Sequence, residues 1–334
     1  MRSTLALVLS YLVGSALTLS SPPAGAITVG SGGQYATLSA ALKDTSSLVY
    51  FIHSGTYTDT AIITRANVRV YGQTNTPSSY SGNTVTITNN IPASQAGSND
   101  ASGTVQVHAT NVSLYNLNIA NTFGKAQAIA LSVQAGEFGA YGLKITGDQD
   151  TLLANVGTQY YANSWIEGAV DFIFGMQASI WITRSVINTI GNGFITASGR
   201  SSDDANWYVI NNSTIQGTGP AFLGRPWRDF ARVVFQNSVL GSNVPSAGWS
   251  VWETECVITA PCRLSTARTD ACSSRHVVRT SSSEPQTDHV TFAEFGNTGA
   301  GSSGARANFS TNLSAPVSIT TVLNSTSWID PAFL

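Results

Sequence analysis

Charge is scarce in this chain: 10% of its 334 residues are Asp, Glu, Lys or Arg, against about 25% in an ordinary soluble domain. Sixteen basic residues against eighteen acidic ones leave a net charge of −2, which argues against the basic face that nucleic acid requires. Only three cysteines are present, all between 253 and 286. An odd number leaves at least one thiol unpaired within a monomer, and their spacing is not that of metal ligands. Histidine numbers four. Neither His53 nor His108 has a ligand partner at a useful spacing, so both are read as structural, and no metal or other cofactor is expected. Past the first residues no apolar run reaches the length of a membrane span. Clear two-residue hairpin turns are missing as well.

What is abundant is Gly, Ser, Thr and Asn. The chain opens with Arg2, an apolar stretch from Leu5 to Val13, and then small residues. That is the layout of a secretory leader, assigned to residues 1–20, with cleavage after Ala16, a few residues later, or at Ala26. Six Asn-x-Ser/Thr sequons, at Asn111, Asn211, Asn212, Asn308, Asn312 and Asn324, agree with a secreted glycoprotein.

Length allows one large domain or two ordinary ones. Repetition favours one, spanning 21–334. "NVSLYNLNIANT", "GAYGLKITGDQD", "ASIWITRSVINT", "NWYVINNSTIQG" and "ARVVFQNSVLGS" are β-branched and aromatic runs, each followed by small polar residues. They recur imperfectly every ~20 to 30 residues, the signature of a solenoid. Alternation within each run, as at Val112, Leu114, Leu117 and Ile119, is strand-like with a corner. A β-sandwich would also supply many short strands. Asparagines at similar places in successive runs instead favour an all-β, single-stranded, right-handed parallel β-helix. The one stretch read as helical is "TLSAALKDT", Thr37 to Thr45, placed as a cap on the first coil.

Against this background "GAVDFIFG" sets Asp171 in a run that belongs in a buried strand. Burying a lone carboxylate costs several kcal/mol or forces it to keep a proton. Asp150, in "GDQDTLLA", precedes it by 21 residues, about one coil. Parallel strands lie ~4.8 Å apart, so equivalent positions on neighbouring coils bring two carboxylates together. Both cannot ionise cheaply, and an adjacent arginine decides which one does. "LGRPWRDFAR" supplies Arg225, with Arg228 as a competitor. Asp148 is read as a turn residue.

Four motifs, "GDQDTLLA", "WIEGAVDFIFG", "GFITASGR" and "LGRPWRDFARVVFQNS", resemble in order and spacing the pectin methylesterases of fungi, plants and bacteria. The likeness runs from about Ile27 to Leu334. "HSGTYTD" and "AEFGNTGAGSSGAR" extend it toward both ends. The resemblance implies a right-handed parallel β-helix with its site in a surface cleft. It implies Asp171 as the nucleophile on a galacturonate methyl ester and Asp150 as general acid and then base. By the same likeness Arg225 holds Asp171 ionised, while Gln149 and Gln127 donate to the oxyanion. Phe174 and Trp227 would line the sugar cleft, with Trp249 and Trp252 extending that platform. The implied partner is pectin, methylated homogalacturonan, acted on by a secreted monomer without nucleic acid or membrane contacts.

The likeness breaks at 253–286, a 34-residue stretch holding four of the thirteen arginines and none of the thirty glycines. It reads either as an unusual insertion or as a gene-model error. Three rivals remain on sequence grounds. A polygalacturonase pairs carboxylates on a β-helix, but its Gly-His-Gly and Arg-Ile-Lys stretches are missing. A calcium-dependent pectate lyase shares a superficial "RPWR" but needs clustered acidic ligands. The third is a non-catalytic wall-binding protein on the same coil.

Overall fold

The computed structural model describes residues 19–252 and 287–334. Nearly all of the leader, the segment 253–286 and the three cysteines lie outside the described residues.

The strands wind into stacked parallel coils. Eleven of them form one sheet, in which Ser113–Tyr115, Phe138–Tyr141, Val156–Ala162, Gln177–Thr183, Tyr208–Asn211 and Arg232–Gln236 are successive neighbours. The others make two further faces. Two long strands, Trp165–Gly175 and Val186–Ser198, bend from one of these onto the other. Trp165 pairs with Lys144 on the second face, and Ile173 pairs with Leu152 on the third. Each coil thus runs through three faces and returns one strand higher, the right-handed parallel β-helix that the repeats predict.

The asparagines have a backbone explanation. Where the chain leaves the first sheet, one residue per coil takes the left-handed conformation: Asn116, Gly142, Asn163, Arg184, Asn212, Asn237 and Gly296, with φ between 44 and 62°. Asn and Gly are the residues that tolerate this region best. The next position carries a serine ladder. The Ser185 hydroxyl accepts from the Ser164 N–H at 3.0 Å, that of Ser213 from Ser185 at 3.2 Å, and that of Ser238 from Ser213 at 3.1 Å. Backbone donors that the corner turns out of the strand ladder are thereby satisfied inside the stack.

Side chains alternate in and out. Leu131, Leu152 and Ile173 are register partners, all fully buried inside the coil. Ser132, Leu153, Phe174, Ala197 and Arg225 form the neighbouring outward column.

Helices depart from expectation. That expected over Thr37–Thr45 is a single turn, Leu38–Ala41, with the Thr37 side chain accepting from the Ala40 N–H. It does lie against the first strand, Ile27–Val29. Two more one-turn helices, Ala93–Ala96 and Ile319–Leu323, are too short to show helical periodicity in sequence. Among the described residues no helix is long and apolar enough to cross a membrane. The C-terminal tail covers the outer face of the first sheet, where Tyr115 and Tyr141 stack at 4.8 Å. The Tyr115 hydroxyl donates to Asp330 at 3.1 Å, and the Asp330 N–H donates to the Tyr141 hydroxyl at 2.9 Å.

Candidate active site

Asp150 and Asp171 meet because their coils are in register. Gln149 bridges Val170 on the next coil and Gln127 on the previous one, so Asp150 and Asp171 follow as equivalents. Leu152 then pairs with Ile173. Both aspartates have left-handed backbone, with φ of 65° and 50°. Asp171 lies where pairing with the following coil slips, on either side of Val170. Such irregularities re-aim side chains. Phe172 fills the core at 0% exposure while Asp171 turns out to the cleft wall, and so a carboxylate stands in an apolar run.

The two carboxyls have different surroundings. Arg225 grips Asp171 with both edges of its fork, Nε donating to Oδ1 at 3.0 Å and Nη2 to Oδ2 at 2.7 Å. Asp150 accepts at Oδ2 from Gln127 Nε2 at 2.9 Å and from Asn99 Nδ2 at 3.4 Å. Burial, and then the charge of Asp171, pushes the Asp150 carboxyl up to about 7. Burial also raises Asp171, but the Arg225 hydrogen bonds and charge oppose it. The two surroundings therefore differ in direction: burial and the neighbouring charge favour the proton on Asp150, while the Arg225 grip favours the anion at Asp171.

Arg225 comes from the strand Ala221–Pro226, two coils beyond Asp171. Its guanidinium carbon lies 4.0 Å from the Phe194 ring centroid and 4.1 Å from that of Trp252. Arg228 is no competitor, since it is exposed and lies over the Trp227 ring at 5.7 Å.

Gln127, Gln149, Asp150, Asp171, Phe174, Arg225, Trp227 and Trp252 all line one cleft of about 170 Å³, with Asn99 and Ala197. Phe174 and Trp227 are 6.1 Å apart, tilted by 59°. Gly199 is needed beneath Trp227, because a Cβ there would meet the indole at 2.4 Å. Past Phe174 and Trp227 the groove opens into a space of about 440 Å³ bordered by His108, Asn155 and Met176. Past Gln149 it opens into about 450 Å³ bordered by Lys125, Asp148 and Ile190. A groove continuing on both sides of the acids suits a chain passing through rather than a small molecule.

Trp249 corrects the expectation that it extends the sugar platform. It is 1% exposed, stacks on Phe292 at 4.5 Å and donates to Glu294 at 3.3 Å. Its position alternates to the interior, where the coil needs a large apolar side chain. Asp148 borders the groove, and its carbonyl accepts from Ala169 at 2.7 Å, a corner role consistent with its reading as a turn residue. His53 packs edge-on against Phe51 at 5.3 Å, and His108 lies 3.1 Å from Asp100. Asn99, Phe194 and Ala197 were not singled out by sequence reasoning. The last two lie inside "GFITASGR"; for Asn99, in an asparagine-rich chain, no signal was available.

The Pectinesterase family model matches residues 26–262. A pectinesterase of Aspergillus aculeatus is 40% identical over 356 residues, covering 99% of both chains. The crystal structure of the pectin methylesterase from Aspergillus niger in deglycosylated form superposes with a TM-score of 0.80 at 39% identity, over 94% of this chain and 99% of that one. The pectin methylesterase from carrot, 23% identical, shares the fold with a TM-score of 0.73 over 92% of this chain and 96% of its own.

Proposed function

The chain belongs to the pectinesterase family, and from that membership we propose that Asp171 is the nucleophile, and Asp150 the general acid and base, of its ester hydrolysis. The enzyme demethylates methyl-esterified homogalacturonan, releasing methanol and pectate. The observation that carries the assignment of roles is the bidentate Arg225–Asp171 pair beside a carboxyl with its affinity for protons raised to about 7.

Asp171, kept anionic by Arg225, attacks the ester carbonyl carbon. The oxyanion that forms accepts hydrogen bonds from the Gln127 and Gln149 amides, where each such donor contributes ~2.7 to 4 kcal/mol in comparable sites. Collapse breaks the bond to the methoxy oxygen, Asp150 gives that oxygen its proton, and methanol leaves. The acyl group is now an anhydride with Asp171. Asp150, now a carboxylate, takes a proton from water; the resulting hydroxide attacks the galacturonyl carbon, and Asp171 is released as a carboxylate. Asp150 has its proton back, and the product acid ionises to pectate.

Trp227 and Trp252, half-buried and packed on the buried Phe174, offer flat faces to the pyranose rings of the polymer. The protein is read as a secreted monomer with a leader over about residues 1–20, followed by the β-helix domain, in which 253–286 is an atypical insertion or a gene-model artefact; the leader's layout supports secretion. Methanol release from methylated pectin by the purified secreted chain tests it. Unsaturated ends absorbing in the ultraviolet would reveal a lyase, and new reducing ends without methanol a glycosidase.

A further inference from the structure

Two coils separate Arg225 from Asp171, ~10 Å along the stack, so the arginine side chain must cross the coil between them. On that coil it passes over Phe194, whose ring centroid is 4.0 Å from the guanidinium carbon. Trp252 lies 4.1 Å from the same carbon. A guanidinium between two aromatic rings is held in its plane as well as in its place. Phe194 is itself backed by its register partner Phe222, stacked at 5.8 Å and 18°.

Resting on the reading of Asp171 as nucleophile, we propose that Phe194 is a positioning residue: with Trp252 it clamps the Arg225 guanidinium edge-on to both oxygens of Asp171. The clamp matters because an arginine side chain of that reach has many rotamers. Only an orientation that presents Nε and Nη2 together gives the two-bond grip. The charged groups facing Asp171 are Arg225 and, on the preceding coil, Asp150. A loosened Arg225 leaves burial to act on Asp171 with less opposition, so the nucleophile takes up a proton at higher pH. It touches no reacting atom of the ester; its effect travels through Arg225.

The test is the pH profile of methanol release for the wild type and for Phe194→Leu, Phe194→Tyr and Phe222→Leu. Phe194→Leu is expected to lower kcat about tenfold and to raise the acidic limb by roughly half a unit to one unit, with KM changed less than about twofold. Phe194→Tyr restores both. Phe222→Leu removes comparable packing without uncovering Arg225 and leaves the limb in place. An unmoved limb in Phe194→Leu, or the same shift in Phe222→Leu, overturns the proposal. Should Phe194→Leu fail to fold, Trp252→Leu reads the same limb from the other ring, and an unmoved limb there overturns it equally. A folded wild type that releases no methanol would instead overturn the functional reading itself.

Discussion

Asp150 and Asp171 occupy equivalent positions on neighbouring coils, and both hold left-handed backbone, with φ of 65° and 50°. A non-glycine residue there is strained, though aspartate less than most. Two buried acids stacked side by side do not stabilise a fold, and their pairing agrees with the catalytic roles proposed for them.

That has a consequence for stability. Asp150 titrates at about 7 in the folded protein, against an ordinary 3.8. Between those values the native state binds more protons than the unfolded chain, so stability falls as pH rises through that window and is lowest above about 7. Asp150→Asn keeps the shape and removes the titration. It is expected to abolish methanol release while raising stability at pH 8 by on the order of a few kcal/mol. Denaturant unfolding at pH 8 and pH 5 checks it, the gain being larger at pH 8.

The same titration bounds activity. Asp150 must enter the cycle protonated, so kcat/KM is expected to decline above about pH 7, while protonation of Asp171 sets the acidic limb. The two limbs belong to the coupled pair rather than to either residue alone. The Gln127 amide stabilises the ionised form of Asp150. Gln127→Ala should therefore move the alkaline limb to higher pH, besides lowering kcat through the lost oxyanion donor. An alkaline limb that stays put or moves down would show that this hydrogen bond does not act on Asp150.

Ala197 supplies a steric test. It lies between Phe174 and Arg225 in the outward column and borders the cleft over which Arg225 reaches. A larger side chain there would crowd Phe174, on which Ala197 packs, and narrow the cleft that it shares with Arg225. Ala197→Leu is expected to lower kcat by at least about tenfold and to destabilise by ~1 to 3 kcal/mol, the usual range for overpacking. Thermal unfolding together with kcat under saturating pectin measures both. Full activity would mean that the arginine reaches Asp171 by another path.

Much of this was legible in the sequence, because a solenoid writes its geometry as a period. The spacing between Asp150 and Asp171 is one coil, and register then follows from backbone pairing alone. The left-handed corner was visible as recurring asparagine, since few residues accept that conformation. Contacts without a period were not legible. Arg225 reaches over two coils, so nothing in spacing marks Phe194 as its support. The docking of Asp330 on Tyr115 joins residues 215 positions apart, and no local pattern records it. Trp249 was misread because "AGWSVW" carries two tryptophans, at 249 and 252, and inward and outward positions cannot be told apart when the chain is leaving a strand.

The two tryptophans should separate by what they lose on substitution. Trp249 is enclosed by Phe235 and Phe292, and its indole N–H meets Glu294, which Arg306 grips at 2.7 and 3.1 Å. Trp249→Leu vacates core volume and leaves one buried carboxylate bond unmade. The expected cost is ~3 kcal/mol of stability, within the range for large-to-small core changes, with kcat and KM of the folded enzyme nearly unchanged. Trp227 borders the groove instead, on the same wall as Phe174. Trp227→Ala is expected to raise KM for pectin about tenfold, equivalent to ~1.4 kcal/mol of lost contact, with little change in unfolding midpoint. Paired measurements of thermal unfolding and steady-state kinetics on both variants decide the matter: a Trp249 variant with normal stability and raised KM would return that residue to the cleft and contradict the interior position given by the fold.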